Sequence, residues 1–130
     1  MPSLTKPTLL VTLAPSVESP RRARRALLEG GLDPDLDHVV SLLATELVSN
    51  SVLHVGAGAI TLEASLGEGF ARVEVRDSGL GFDPEIRHET PGFGLRLVDK
   101  LASSWGVEHE RAGTTVWFMV DRRRRRFERD

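Results

Sequence analysis

Residues 46–81 read ELVSNSVLHVGAGAITLEASLGEGFARVEVRDSGLG, and the apolar period changes within this stretch. Up to Val55 the apolar residues keep helical spacing. From Gly58 onward they alternate, in AITLEASLG and FARVEVRD, as in extended chain with one apolar face. Ile60, Leu62 and Ala64 would share one face of the first run, and Val73 and Val75 one face of the second. Gly67-Glu68-Gly69 supplies turn residues between them, so the pattern predicts a β-hairpin. A helix running straight into a hairpin breaks the β-α alternation of a doubly wound sheet and points to an α+β fold.

Working outward, the helix opens with Asp33 as cap and Pro34 at its first position. It runs to about Val55, with Leu36, Val39, Val40, Leu43, Leu47 and Val48 on its apolar face. Before it, SVESPRRARRALLEGG predicts a helix capped by Ser16 or Ser19, helped by Pro20 and ended by Gly30-Gly31. Val17, Ala23, Ala26 and Leu27 form its expected buried stripe, which leaves Arg21, Arg22, Arg24 and Arg25 mostly outside. Thr8 to Ala14, between Pro7 and Pro15, reads as a strand.

After the hairpin, Ser78 to Phe93 is rich in Gly and Pro and has no period, as expected of a lid or binding loop. GLRLVDKLASSW restores helical spacing through Leu95, Val98 and Leu101; WGVEHE and TTVWFMV read as the last strands, with Trp105 and Trp117 as core residues. The order is β-α-α-β-β-loop-α-β-β. It implies a two-layer α+β sandwich, a mixed but mostly antiparallel sheet covered by three helices. One domain is expected over residues 1–120, followed by an Arg-rich tail over 121–130.

Composition narrows the function. The 130 residues contain no Cys, which excludes disulfides, thiolate metal sites and thiol nucleophiles. No apolar run approaches the roughly 20 residues of a membrane span, and MPSLTKPTLL lacks the pattern of a leader, so a cytoplasmic protein with no membrane partner is expected. The net charge of −2 is unevenly distributed: six Arg against Asp121, Glu128 and Asp130 put the last ten residues at +3 and the first 120 at −5. A basic tail on an acidic body does not match a nucleic-acid-binding face, and a solvated chain end is the simpler reading.

Three patterns carry chemistry. Glu46, Asn50 and His54 fall at i, i+4 and i+8 on the long helix. An amide oxygen can ligate Mg²⁺, and a carboxylate one turn away can orient or deprotonate a nucleophile. Asp77 ends a strand and begins DSGLGFDP; its oxygens can accept from an exocyclic amine while Gly79 and Gly81 let the chain pass close to a ligand. The acidic spacing of an EF-hand is missing, which rules out that calcium loop. PGFGL at 91–95 presents Gly92 and Gly94 at a helix start, where backbone N–H groups can cradle phosphate. Neither a Walker loop nor a Rossmann fingerprint is formed there.

Taken together, these stretches resemble the GHKL ATPase superfamily, the Bergerat-fold domains of gyrase, heat-shock chaperones, histidine kinases and mismatch-repair proteins. Glu46-Leu47-Val48-Ser49-Asn50 matches its N box, Asp77-Ser78-Gly79-Leu80-Gly81 its first glycine box and Gly92-Phe93-Gly94-Leu95 its second. Gly113-Thr114-Thr115 matches the opening of its last strand. ELVSNSVLH, DSGLGFDP, GLRLVDKLASSWGV and GTTVWF further resemble the bacterial anti-sigma-factor serine kinases and their stand-alone ATP-binding relatives.

The resemblance implies ATP and Mg²⁺ as cofactors, with Asn50 ligating the metal and Glu46 acting as general base. It further implies that Asp77, helped by Thr114, binds the adenine amine. Gly79 and Gly81 would line the nucleotide, Gly92, Gly94 and Leu95 would belong to the phosphate-holding helix start, and Phe82 to Phe93 would form the lid. The implied partners are a sigma factor and an anti-sigma-factor antagonist, with a possible homodimer. Two other activities fit the same boxes: an ATP-dependent interaction module without catalysis, and a histidine-kinase-like catalytic subunit acting in trans.

Overall fold

The structure, a computed structural model, describes residues 8–55, 58–78, 93–110 and 113–122. Five strands form one sheet in the order β1-β2-β3-β5-β4: β1 (Leu9–Leu13), β2 (Ile60–Gly67), β3 (Phe70–Asp77), β4 (Ser104–Glu110) and β5 (Gly113–Asp121). Every pairing among them is antiparallel, the limiting case of the expected mostly antiparallel sheet. Three α-helices are described: α1 (Ser19–Glu29), α2 (Asp37–Val55) and α3 (Phe93–Leu101), the second preceded by a 3₁₀ turn at Pro34–Leu36. None of them is long and apolar enough to cross a membrane.

The registers explain the layering. Side chains alternate along a strand, so one face collects Val11, Leu62, Val75, Val116 and Val107 in one row and Leu9, Ala64, Val73, Phe118 and Trp105 in the next. Helices α1 and α2 bury Ala23, Leu27, Val40, Leu43, Ala44, Leu47 and Val48 in the same core, and α3 adds Val98. Each large aliphatic side chain so buried contributes about 1.5–3 kcal/mol.

The sequence expectations fail at a few positions, each for a local reason. Val17 is 92% exposed, because it lies in the turn before α1 and not on its stripe. Glu18 takes the N-cap position without a side-chain cap, and the buried Ser19 hydroxyl instead donates to the Ala14 carbonyl, tying the helix to the end of β1. Leu101, at the last residue of α3, is exposed, and Ala102 takes the buried place after it.

Trp117 alternates onto the outer sheet face, beside Glu74. Its ring fills the space a Cβ would occupy at Gly106, and the Arg72 guanidinium lies 4.8 Å from its centroid. Trp105, by contrast, packs against the core and donates its Nε1–H to Asp99 at 3.0 Å.

The start of α2 is fastened to the hairpin. Asp33 accepts from the Asp35 N–H at 2.9 Å and from the Gly69 N–H at 2.7 Å, while Arg122 donates to Asp35 at 2.6 Å. The Asp35 and Gly69 N–H groups hold the Asp33 carboxyl below its ordinary value of 3.8, with a smaller contribution from Arg122. The Ser41 hydroxyl, with smaller help from Arg24, does the same for Asp37.

A carboxylate with a depressed folded pKa stabilises the fold above its unfolded pKa, and that contribution disappears as pH falls through the folded value. Stability should therefore drop below about pH 4. Urea unfolding between pH 7 and 2.5 should show a shallower acid loss for Asp33→Asn than for the native chain; equal slopes would refute the assignment.

Candidate functional site

The sheet's inner face changes character in its last row, where Leu13 and Ile60 are followed by Asp77, Thr114 and His109. Apolar rows elsewhere on this face close over the core. Here three polar side chains stand side by side, and two of them, Asp77 and Thr114, are buried at 9% and 8% exposure. Burying polar groups costs free energy unless they are hydrogen-bonded, and two side-chain contacts meet part of that need. Ser51, on the last turns of α2, donates to Asp77 Oδ2 at 3.0 Å. Thr114 Oγ1 lies 3.4 Å from His109 Nδ1.

Helix α2 brings its own row to this end of the sheet. Its start is bound to the 68–69 hairpin turn through Asp33, and its final turns reach Asp77 through Ser51, so it runs the length of the sheet. Glu46 and Asn50 are half-buried on successive turns, upstream of and adjacent to Ser51. Ser51, the residue that directly follows the N-box stretch, thus touches the strand-end acid 26 residues further along the chain.

Gly113 makes the third side possible. Its φ is +148°, a region that L side chains rarely adopt. A Cβ there would lie 1.9 Å from the Asp77 carbonyl oxygen and 2.8 Å from the Ser78 carbonyl. The start of β5 can approach the end of β3 this closely only because residue 113 has no side chain, and the approach puts Thr114 in register with Asp77.

The remaining candidates are less fully placed. Gly94 lies in the first turn of α3, and Leu95 is half-buried against the edge of the core. Gly79, Gly81 and Gly92, with Phe82 to Gly92 of the expected lid, lie outside the described residues, as does the side chain of His54. Ser51 and His109 were not among the residues singled out from the sequence. Ser51 had a readable signal, because it continues the sheet-facing stripe of Ala44, Leu47 and Val48 and is a polar residue where an apolar one is expected. His109 had none, since only the β4–β5 register sets it beside Thr114.

A buried carboxylate at a strand end can accept from an exocyclic amine such as that of adenine, and the amide oxygen of a half-buried Asn can ligate a hard cation.

The chain belongs to the histidine kinase-like ATPase domain family, whose model matches residues 12–120. The likeness to the GHKL type read from the boxes is thus carried by the fold as well. Among solved structures it is similar to that of the RsbU and RsbW domains of Rv1364c from Mycobacterium tuberculosis, with 27% identity over 90% of this chain and a TM-score of 0.64. This chain spans only 32% of that one. No curated protein matches.

Proposed function

We propose that this protein is an ATP-dependent serine/threonine kinase of the anti-sigma-factor type, working by partner switching in the cytoplasm. Residues 1–120 would be its ATPase domain and 121–130 a basic tail. The carrying observation is the meeting of α2, the end of β3 and the start of β5 around Asp77. Asp77 would accept the adenine amine beside Thr114 and Asn50 would hold Mg²⁺, while Gly79, Gly81, Gly92 and Gly94 are assigned to the nucleotide by the likeness of their boxes alone.

Bound Mg·ATP supplies a transferable γ-phosphoryl group. Glu46, one turn from Asn50, would take the proton of a Ser or Thr hydroxyl on the antagonist protein, and that hydroxyl oxygen would receive the γ-phosphoryl group with ADP as the leaving group. Phosphoryl transfer of this kind depends mainly on positioning and charge neutralisation, which suits a site built on a helix and two strand ends. The likeness to a protein containing an RsbW domain supports the class of partner.

Thermal unfolding with Mg·ATP, Mg·ADP and Mg·GTP tests the nucleotide site. At about 100 times Kd, a ligand adds roughly 2.7 kcal/mol, or about 10 °C for a chain of this size. An adenine-selective, Mg²⁺-dependent rise is expected. Asp77→Asn should weaken ATP by about 10–100-fold, because an amide N–H₂ would face the adenine amine where an acceptor is needed. Its melting temperature without nucleotide should stay within a few degrees. An equal loss of unliganded stability would make Asp77 structural, and no shift with any nucleotide would sink the ATP assignment.

A further inference from the structure

The hydroxyls of α2 behave differently from one another. Ser41 donates to Asp37 at 2.6 Å and Thr45 to the Leu42 carbonyl at 3.1 Å, both within the helix or its first residue, the usual habit of helical hydroxyls. Ser51 instead reaches off the helix to Asp77 Oδ2 at 3.0 Å, and both residues are buried. This is a buried side-chain hydrogen bond between α2 and the sheet, and it lands on the carboxylate proposed to read the base.

We infer that Ser51 is a positioning residue for base selection: by donating to Asp77 Oδ2 it fixes the carboxylate so that the purine 6-position must present a donor. The inference rests on the adenine reading above. A carboxylate at the end of a strand can rotate about its χ angles. With one oxygen engaged by a hydroxyl that is itself fixed on the rigid sheet-facing side of α2, the orientation of the other oxygen is set as well. A 6-amino group then meets an acceptor at a defined place, whereas a 6-oxo group meets a second acceptor and is rejected, since leaving buried polar groups mispaired is the costly case. Ser51 also directly follows Asn50 in sequence. The helical turn that presents the amide proposed to hold the metal therefore also aligns the group proposed to hold the base, so the two ends of the nucleotide are gauged from one rigid element.

The test compares Mg·ATP with Mg·ITP, which differ in the 6-substituent, by titration calorimetry on the native chain, Ser51→Ala and Ser51→Thr. The native chain should prefer ATP. In Ser51→Ala the ATP/ITP preference should shrink about ten-fold, mainly through weaker ATP, with ITP nearly unchanged, and Ser51→Thr should restore most of it. If Ser51→Ala keeps the full preference, or loses ATP and ITP affinity alike, the positioning role is wrong while the nucleotide reading stands. A native chain that binds both equally overturns the adenine reading and this inference with it. Should Ser51→Ala not fold, Ser51→Cys, of similar size with a weak donor, gives the same comparison.

Discussion

Gly113→Ala should unfold the site before any nucleotide is added. The new Cβ would sit 1.9 Å from the Asp77 carbonyl oxygen, and this neighbour is backbone where the end of β3 meets the start of β5, not the yielding tip of a side chain. The substitution combines overpacking with a positive φ forced on a residue with a side chain. Each costs about 1–3 kcal/mol. A loss on the order of 3 kcal/mol and roughly 10 °C in Tm is expected. The β3–β5 register near Asp77 and Thr114 must shift to relieve the clash, so nucleotide-dependent stabilisation should disappear together with it. Gly67→Ala is the matched control, because a Cβ there meets nothing within 4 Å. Its Tm should stay within a few degrees of the native value. A Gly113→Ala protein with native Tm and native nucleotide response would show that the close approach of β5 to β3 is dispensable.

Glu46→Gln should separate binding from catalysis. The side chain keeps its size and half-buried place on α2, one turn before Asn50, but the amide cannot take a proton. General base catalysis contributes about 10²–10⁴-fold, so phosphoryl transfer to the Ser or Thr of an antagonist should fall by that factor. The Mg·ATP-dependent rise in Tm should remain within a few degrees of native. Transfer measured with labelled ATP and a Ser-bearing antagonist decides the outcome. A variant as active as the native chain removes Glu46 from the chemistry. A native chain that shows the nucleotide-dependent rise yet transfers no phosphoryl group favours the interaction module, and an acid-labile product favours action in trans on a His.

The elements were legible because their signals are local. The switch in apolar period after Val55, the Gly67-Glu68-Gly69 turn, Pro34 at a helix start and the Gly30-Gly31 stop each depend on residues within one or two turns of chain. The features that misled are equally instructive. Val17 matched the spacing of the α1 stripe but precedes the helix, and Trp117 suggested core by its size while strand alternation put it outside. Hydrophobicity alone does not say on which face of a sheet a strand residue lies; the partner strands decide.

By itself, then, the sequence determined the kinds of element and their order, and the boxes around Glu46, Asp77, Gly94 and Thr114 that mark the histidine kinase-like ATPase family. The tertiary structure decided which of those boxes touch. Antiparallel pairing of β3 with β5 put Thr114 beside Asp77, the missing side chain of Gly113 let the two strand ends close, and the packing of α2 along the sheet brought Ser51 to the Asp77 carboxylate. Contacts over 26 to 37 residues of sequence separation leave no periodic trace in the chain, because they depend on register and packing, which the whole fold sets at once.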